Sequence, residues 1–410
     1  MKKNIKNRIL YMGANYAAYF LNFFSGLVLA RHLGPENRGE LAFISSLYLI
    51  TLLLAPMNSK NGSTFASIKK GAHFSENLNF PFKRFLIWAF FISSFSTVVF
   101  ILLLVQKVNI ESLVIFLISN IACGLTFYIY FFEGIYRAEE NILYLAVLRF
   151  LGLAIPSIYI FILLIFDQIK VSSALLSQLL ALLACLIFVR KRRPHAVRFG
   201  YLDFVSQVKR TYLSNSLEYM ANFIILFSVT LTESKEVIGY FSIALSLTMI
   251  SETFFPLVET RMFKRLRIND AQARCVDKKP LWTAIIELLI SQILFIPLAF
   301  MIPFVYGSSY KDSVEFAIIL IIAKCNYSIV KLCNLFAAAV NSYQVAVKLN
   351  IVFIGSYLLI FCGLLAIDSR SKWQISAIIA SLISALLGLI ITKNLKTHSA
   401  TTGGNWIVNL

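Results

Sequence analysis

Twelve long apolar runs decide what this chain of 410 residues can fold into. About twenty apolar residues in helical conformation are needed to cross a hydrocarbon core of roughly 30 Å. Runs on that scale lie near 9–30, 39–57, 85–105, 112–133, 142–166, 171–189, 211–231, 237–257, 281–305, 314–336, 345–366 and 374–392. A bilayer core offers no water to backbone groups, and these runs do not alternate as barrel strands do. The sequence therefore predicts an all-α polytopic membrane protein with about 12 transmembrane helices.

The distribution of charge predicts the orientation of these helices. The formal net charge is +18, which by itself could suggest a nucleic-acid partner. With the N-terminus in the cytoplasm, however, 26 of the 38 Lys and Arg residues lie on the cytoplasmic side, 8 on the outer side and 4 within the runs. Cytoplasmic loops of membrane proteins carry such an excess of positive charge. We therefore expect cytoplasmic N- and C-termini and no nucleic-acid partner.

A register shift of 200 residues aligns the chain with itself without a gap. The identical pairs are Asn15 and Asn215, Tyr19 and Tyr219, Asn22 and Asn222, Phe23 and Phe223, Glu36 and Glu236, Gly39 and Gly239, Ser46 and Ser246, Leu47 and Leu247, Ile50 and Ile250, and Pro56 and Pro256. Paired asparagines inside apolar helices are not expected by chance, so the match indicates an internal duplication. It predicts two duplicated six-helix bundles, at 1–189 and 211–392, with a basic cytoplasmic linker at 190–210 and a cytoplasmic tail at 393–410. The basic and aromatic linker, which includes Phe204, is expected to lie on anionic lipid of the inner leaflet.

The sequence contains no recognisable reaction centre. The four histidines are scattered over loops without metal-ligand spacing, and every aspartate lies in a loop or at the end of a run. Neither a phosphate-binding glycine loop nor a nucleophile elbow is present. We expect no catalytic residue, no metal and no cofactor, which leaves the movement of a solute as the function class.

Cations within the apolar runs are the candidate binding residues. A charged group at the centre of a membrane helix costs about 2.5–3.5 kcal/mol, so such groups usually face a cavity. In the tenth run, one helix face carries Lys324, Tyr327, Ser328, Lys331 and Asn334. The fifth run adds Arg149, whose planar guanidinium suits bidentate contact with phosphate. The alternative is that these cations extend to the interface or pair with buried glutamates.

Polar residues also recur on matched faces of the first and seventh runs. These are Asn15, Tyr19 and Asn22 in the first copy and Asn215, Tyr219 and Asn222 in the second. They are candidates to line a central cavity, and interhelical hydrogen bonding explains them equally well. Glu218 is present only in the second copy and is a candidate coupling carboxylate for H⁺ or Na⁺. A structural ion-pair role is the favoured alternative.

The polar turn between the first two runs resembles a signature of bacterial polysaccharide and O-antigen flippases, in the multidrug/oligosaccharidyl-lipid/polysaccharide exporter superfamily. The matching positions are Arg31, Leu33, Gly34, Pro35, Glu36 and Gly39. The twelve runs, the duplication and the absence of a long loop extend this resemblance over nearly the whole chain. The second copy reads Thr232-Glu233-Ser234-Lys235-Glu236 instead, so the turn is not expected to be a duplicated substrate site.

The resemblance implies two bundles around a central cationic cavity in the bacterial inner membrane. It implies alternating access, with an undecaprenyl-diphosphate-linked oligosaccharide, an O-antigen or capsule repeat unit, carried to the outer leaflet. Arg149, Lys324, Lys331 and Arg31 are then the candidate cations for the diphosphate. The implied partners are the lipid bilayer, the lipid-linked substrate and other polysaccharide assembly proteins.

Two other functions are weaker hypotheses. A cation-coupled multidrug exporter of the same superfamily needs an acidic group in the first bundle, where Glu133 is the one available. A membrane polysaccharide polymerase or glycosyltransferase usually needs a large outer loop or an acidic catalytic motif, and neither is visible in the sequence. The sequence therefore favours a transporter that is not an enzyme.

Overall fold

The computed structural model describes residues 2–60, 62–64, 82–104, 110–138, 141–192, 201–252, 258, 278–339, 343–367 and 372–394. These residues are almost entirely helical and contain no strand, which confirms the all-α fold class. The helices are α1 (Lys2–Leu54), α2 (Phe82–Leu104), α3 (Ile110–Ala122), α4 (Thr126–Ala138), α5 (Ile142–Ile165), α6 (Val171–Arg192), α7 (Tyr201–Thr232), α8 (Lys235–Glu252), α9 (Lys279–Ile293), α10 (Ile296–Ala299), α11 (Ile302–Tyr306), α12 (Ser313–Ala339), α13 (Tyr343–Ala366) and α14 (Lys372–Asn394). Within the described ranges, 7 helical segments are long and apolar enough to cross a membrane. The chain is a multi-pass membrane protein.

The predicted runs coincide with helices over most of the residues that the structure describes. The seven qualifying segments come from α2, from α3 with α4, and from α5, α6, α12, α13 and α14. The two arms of α1, together with α7, α8 and the α9–α11 series, cover the other five predicted runs. The count of twelve predicted helices agrees with this series of elements.

The turn between the first two runs is shorter than the polar sequence at 31–39 predicts. Helix α1 continues on both sides of a single break at Gly34, whose φ of 67° is in the left-handed region. Glycine adopts this conformation without a Cβ penalty, and Pro35 then begins the second arm with its φ already set for helix. The side-chain amide of Asn37 donates to the carbonyl of Leu33 at 3.1 Å, so a freed carbonyl finds a local partner. One residue therefore separates the two arms.

The ninth predicted run is interrupted rather than continuous. It divides into α9, α10 and α11, and the second residue of each of the two short helices is a proline, Pro297 and Pro303. A proline cannot donate a backbone hydrogen bond and clashes with the carbonyl four residues before it. Hydrophobicity alone could not reveal these breaks, because the interrupted stretch is as apolar as its neighbours.

The chain forms two compact units that differ from the predicted bundles in their boundaries. The first comprises residues 1–243 and 302–313, and the second comprises residues 244–301 and 314–410. The predicted domain boundaries stay a prediction.

The first unit contains two aromatic and aliphatic clusters. One joins the second arm of α1 to α3, α5 and α6 through residues that include Ile44, Leu47 and Phe116. The other joins α4, α5 and α6 to the start of α7, where Phe204 is buried against Phe127 and Phe131. Part of the predicted linker is therefore helix, with Phe204 packed in protein rather than lying on lipid.

The second unit is built around α12, α13 and α14. Phe316 packs against the buried ring of Trp373 at a centroid distance of 5.3 Å, which joins α12 to α14. Gly388 lets α14 approach α12, since a Cβ placed there would lie 3.3 Å from Cys333. The ring of Tyr327 meets Phe353 at 4.9 Å and joins α12 to α13. Through these contacts α12 packs against α13 and α14, which bury much of its surface.

Candidate functional site

The polar face of α12 is the candidate site in the second unit. Helix α12 is uninterrupted from Ser313 to Ala339, so residues three, four and seven positions apart share one face. Lys324, near the middle of the predicted run, is only 7% exposed. Tyr327, Ser328 and Asn334 are also buried, and Lys331 is half-buried. The face thus combines two cations with three hydrogen-bonding groups in a largely apolar helix.

Tyr327 organises the centre of this face. Its hydroxyl donates to Oδ1 of Asn350 on α13 at 3.3 Å, and both side chains are buried. The Nζ of Lys331 lies 5.3 Å from the centroid of the same ring, a distance typical of a cation–π contact. Asn350 therefore holds the ring, and the ring in turn orients the ammonium group. Sequence reasoning missed Asn350, because nothing in the pattern of α13 connects it to Tyr327.

The asparagines of the second unit differ in their hydrogen bonding. Asn326 donates its amide to Oγ of Ser381 on α14 at 3.3 Å. Asn334, at 9% exposure, has an Oδ1 atom that is buried and has no hydrogen-bond partner among the described residues. Buried polar atoms in proteins are nearly always hydrogen-bonded. The carbonyl oxygen of Asn334 is therefore an acceptor that the protein's own described groups leave open.

Arg149 and Lys324 lie in different compact units. Arg149 is exposed on α5, next to the buried Leu148, whereas Lys324 is buried. Lys348, a further lysine within a predicted run, is exposed on α13. The substrate roles of Arg149, Lys324 and Lys331 stay predictions.

The signature turn lies in the first unit, where it contacts the segment 302–313. Arg31 is exposed and donates through Nε to the carbonyl of Val305 at 3.0 Å and through a terminal nitrogen to the carbonyl of Phe304 at 3.4 Å. The hydroxyl of Tyr310 donates to the carbonyl of Ala30 at 2.9 Å. Cations near the C-terminus of a helix stabilise its carbonyls, and Arg31 sits in this position at the end of α11. This geometry is that of a structural anchor.

Arg38 lies near Tyr306 and Tyr310. Its Nε is buried without a hydrogen-bond partner among the described residues. Burial lowers the pKa of the Arg38 guanidinium, and the nearby phenols of Tyr310 and Tyr306 act in the opposite direction. Burial also raises the pKa of Tyr310 to about 12, an effect that Arg38 opposes. At neutral pH the phenol of Tyr310 therefore stays protonated.

Two matched glycines form a reciprocal contact between the two copies of the repeat. A Cβ on Gly39 would overlap the carbonyl oxygen of Lys235, and a Cβ on Gly239 would overlap that of Pro35. Positions 35 and 235 are related by the same shift of 200 residues as positions 39 and 239. The Nζ of Lys235 also forms an ion pair with Oε2 of Glu40, at 3.1 Å. The start of the second arm of α1 and the start of α8 therefore cross at backbone contact, in a two-fold arrangement within the first unit.

The structure describes the side chains of only some of the polar residues predicted on the first and seventh runs. Asn22 and Tyr219 are exposed and Glu218 is half-buried, whereas the side chains of Asn15, Tyr19, Asn215 and Asn222 lie outside the described residues. Their cavity-lining role, and coupling by Glu218, stay predictions.

Glu133 is the acidic group that the exporter hypothesis requires, and it is buried in α4. It forms an ion pair with Lys60, from the segment after the second predicted run. Ser63 and Thr64, from the same segment, donate to the carbonyls of Phe131 and Gly134 at 2.8 and 3.1 Å. Lys60 lies between the second and third predicted runs, far from Glu133 in the chain, so the sequence could not reveal the pair.

Comparison with solved structures identifies the fold. A lipid II flippase, MurJ, in an inward closed conformation, aligns with a TM-score of 0.73 and 15% identity over 94% of this chain and 87% of that chain. The MATE multidrug transporter DinF-BH aligns with a TM-score of 0.69 and 13% identity over 94% of each chain. An inward-facing multidrug resistance MATE family transporter of the MOP superfamily aligns with a TM-score of 0.65 and 12% identity over 96% of this chain and 99% of that chain. The chain has the fold of MOP superfamily transporters.

Sequence comparison adds no nearer relative. No family model matches the chain. No curated protein matches it either.

Proposed function

We propose that this protein is a flippase for an undecaprenyl-diphosphate-linked oligosaccharide, an O-antigen or capsule repeat unit. In this proposal it works in the bacterial inner membrane by alternating access, with both termini in the cytoplasm. Lys324 and Arg149, with Lys331, attract the diphosphate while the lipid tail stays in the bilayer. The fold supports a transporter or flippase. The substrate is the one that the resemblance of the turn at 31–39 implies, and the cations of α12 are chemically compatible with it.

The observation that carries the proposal is the burial of Lys324 in a membrane-spanning helix. A lysine at that depth costs about 2.5–3.5 kcal/mol, so a cation without a function would be expected to be lost. The face that carries Lys324 is also polar, since Tyr327, Ser328 and Lys331 follow on it. A compact ammonium is a point charge suited to a phosphate oxygen. A cationic, hydrogen-bonding face is chemically matched to a diphosphate next to a sugar.

The test is Lys324→Ala with Lys348→Ala as the matched control. Both remove one lysine from a predicted run, but Lys348 is exposed. A hydrogen bond to a charged group contributes about 1.5–3 kcal/mol, so Lys324→Ala should slow transport by roughly 10- to 100-fold. Transport is measured as surface polysaccharide in a strain lacking its own flippase and as translocation of the lipid-linked oligosaccharide in proteoliposomes. Wild-type transport by Lys324→Ala at normal protein level would remove the proposed role.

A cation-coupled multidrug exporter is the second candidate function. The observation that favours it is the buried Glu133 in α4, a carboxylate whose pairing with Lys60 could be exchanged for a proton or a cationic compound. Two of the structural relatives named above are multidrug transporters. Efflux of a cationic dye that is lost in Glu133→Gln and unaffected by Lys324→Ala would support the exporter and contradict the flippase.

A further inference from the structure

The open acceptor on α12 points to a part of the substrate that the cations do not explain. Lysines bind a diphosphate, but the Oδ1 of Asn334 is an acceptor and cannot bind a phosphate oxygen. Asn334 is 9% exposed, and its Oδ1 has no hydrogen-bond partner among the described residues. Leaving a buried acceptor unsatisfied is costly, so a ligand that supplies a donor at this position is favoured.

The position of Asn334 relative to Lys331 defines which part of a substrate could reach it. The two residues are three positions apart on α12, so they share a face and are separated by about 4.5 Å along the helix axis. In a lipid-linked oligosaccharide the first sugar is bonded directly to the diphosphate. A phosphate held by the ammonium of Lys331 would therefore bring the first sugar next to Asn334.

Asn326 provides the internal contrast. It lies on the same helix and in the same unit, but its amide donates to Oγ of Ser381. Asn350 on α13 is likewise engaged, since its Oδ1 accepts from Tyr327. These two asparagines join helices to each other, whereas the Oδ1 of Asn334 joins nothing that the structure describes. Of the three, Asn334 is the one with a buried amide oxygen that lacks a partner among the described residues.

We infer that Asn334 accepts a hydrogen bond from the first sugar of the transported headgroup, next to a diphosphate bound at Lys331. The donor is a hydroxyl or an amide N–H on that sugar. The inference rests on the proposed flippase function and adds a specificity residue to it. Lys324 and Lys331 recognise the charge common to all polyprenyl diphosphates, and Asn334 recognises that a sugar is attached.

The experiment compares two probes on the same protein in nanodiscs of neutral lipid. One is a polyprenyl diphosphate that carries a single hexose, and the other is the same polyprenyl diphosphate without sugar. Dissociation constants are measured by native mass spectrometry for the wild type, Asn334→Leu, Asn334→Gln and the matched control Asn326→Leu. Because each variant is its own reference, the ratio of the two constants is independent of how much protein folds.

Asn334→Leu should weaken binding of the hexose probe by roughly two- to tenfold and leave the sugarless probe within about twofold. Asn334→Gln should recover part of the difference, and Asn326→Leu should leave the ratio unchanged. Equal weakening of both probes, or no weakening of either, in Asn334→Leu would overturn the assignment. The proposed function fails separately, if Lys324→Ala and Lys331→Ala leave the binding of both probes unchanged.

Discussion

The signature turn and the polar face of α12 both stand out in an apolar sequence, but they are different kinds of site. In the turn, the unusual residues contact protein: Arg31 bonds the carbonyls of Val305 and Phe304, and Gly39 meets the carbonyl of Lys235. On α12, a buried lysine lies on the same face as an amide oxygen without a described partner. A sequence signature can therefore mark a structural contact, while the proposed binding residues lie in a helix that carries no recognisable motif.

The largest expected effect is at the glycine crossing. Gly39→Ala places a Cβ on top of a backbone oxygen, so the two helices must move apart, at a cost of about 1–3 kcal/mol or more. Gly239→Ala should do the same from the other copy. The thermal unfolding midpoint of the protein in detergent measures the loss.

Gly26→Ala is the matched control, because a Cβ at Gly26 meets nothing within 4 Å. It should leave the midpoint unchanged or raise it slightly, since alanine is the better helix former. If Gly39→Ala is as stable as Gly26→Ala, the crossing is not a tight contact. The turn would then not be the structural contact that the comparison with α12 takes it to be.

An intermediate effect is expected at Tyr327. Tyr327→Leu removes the ring under the ammonium of Lys331, and a cation–π contact contributes about 0.5–2 kcal/mol, so transport in proteoliposomes should fall by roughly two- to thirtyfold. Tyr327→Phe keeps the ring and loses only the hydrogen bond to Asn350, so its loss should be smaller. Equal losses in the two variants would show that the hydroxyl, and not the ring, positions Lys331.

The smallest effect is expected at Arg31, and it separates anchoring from substrate binding. Arg31→Ala removes two exposed hydrogen bonds to the end of α11, at a cost of about 0.5–1.5 kcal/mol of stability. The transport rate per folded molecule should stay at the wild-type value. A loss of transport in Arg31→Ala that Arg31→Lys restores, with stability unchanged, would return Arg31 to the group of substrate cations.

Much of the fold could be predicted because hydrophobicity over twenty residues is a local signal. The runs and the all-α class follow from it. The duplication rests instead on identical residues found by self-comparison, and it stays a prediction. Two features of the fold were not predicted by the runs, although their signals are also local. Gly34 confines the turn to one residue, and Pro297 and Pro303 divide a run that is otherwise uniformly apolar. Single residues of this kind are a weaker signal than hydrophobicity over twenty residues.

The site was less accessible to sequence reasoning because it depends on pairs that are distant in the chain. The face of α12 follows from helical spacing, but the burial of Lys324 and the bond between Tyr327 and Asn350 depend on how α13 packs. The ion pair between Lys60 and Glu133 likewise joins two segments that are distant in the chain, and no periodicity in the sequence indicates that they pack together. Of these long-range contacts, the glycine crossing is the one that the sequence indicated, through identical residues at the matched positions 39 and 239.

That crossing has an evolutionary consequence. Each glycine faces a carbonyl of the opposite copy, so neither half can acquire a larger residue there unless the other half shifts its backbone. Duplicated segments usually diverge independently. At these two positions, however, the residue in each segment is constrained by the backbone of the other. The turn beside the crossing differs between the copies, with Leu33-Gly34-Pro35 in the first at the positions of Glu233-Ser234-Lys235 in the second. The predicted duplication thus leaves the two matched glycines under one mutual steric constraint.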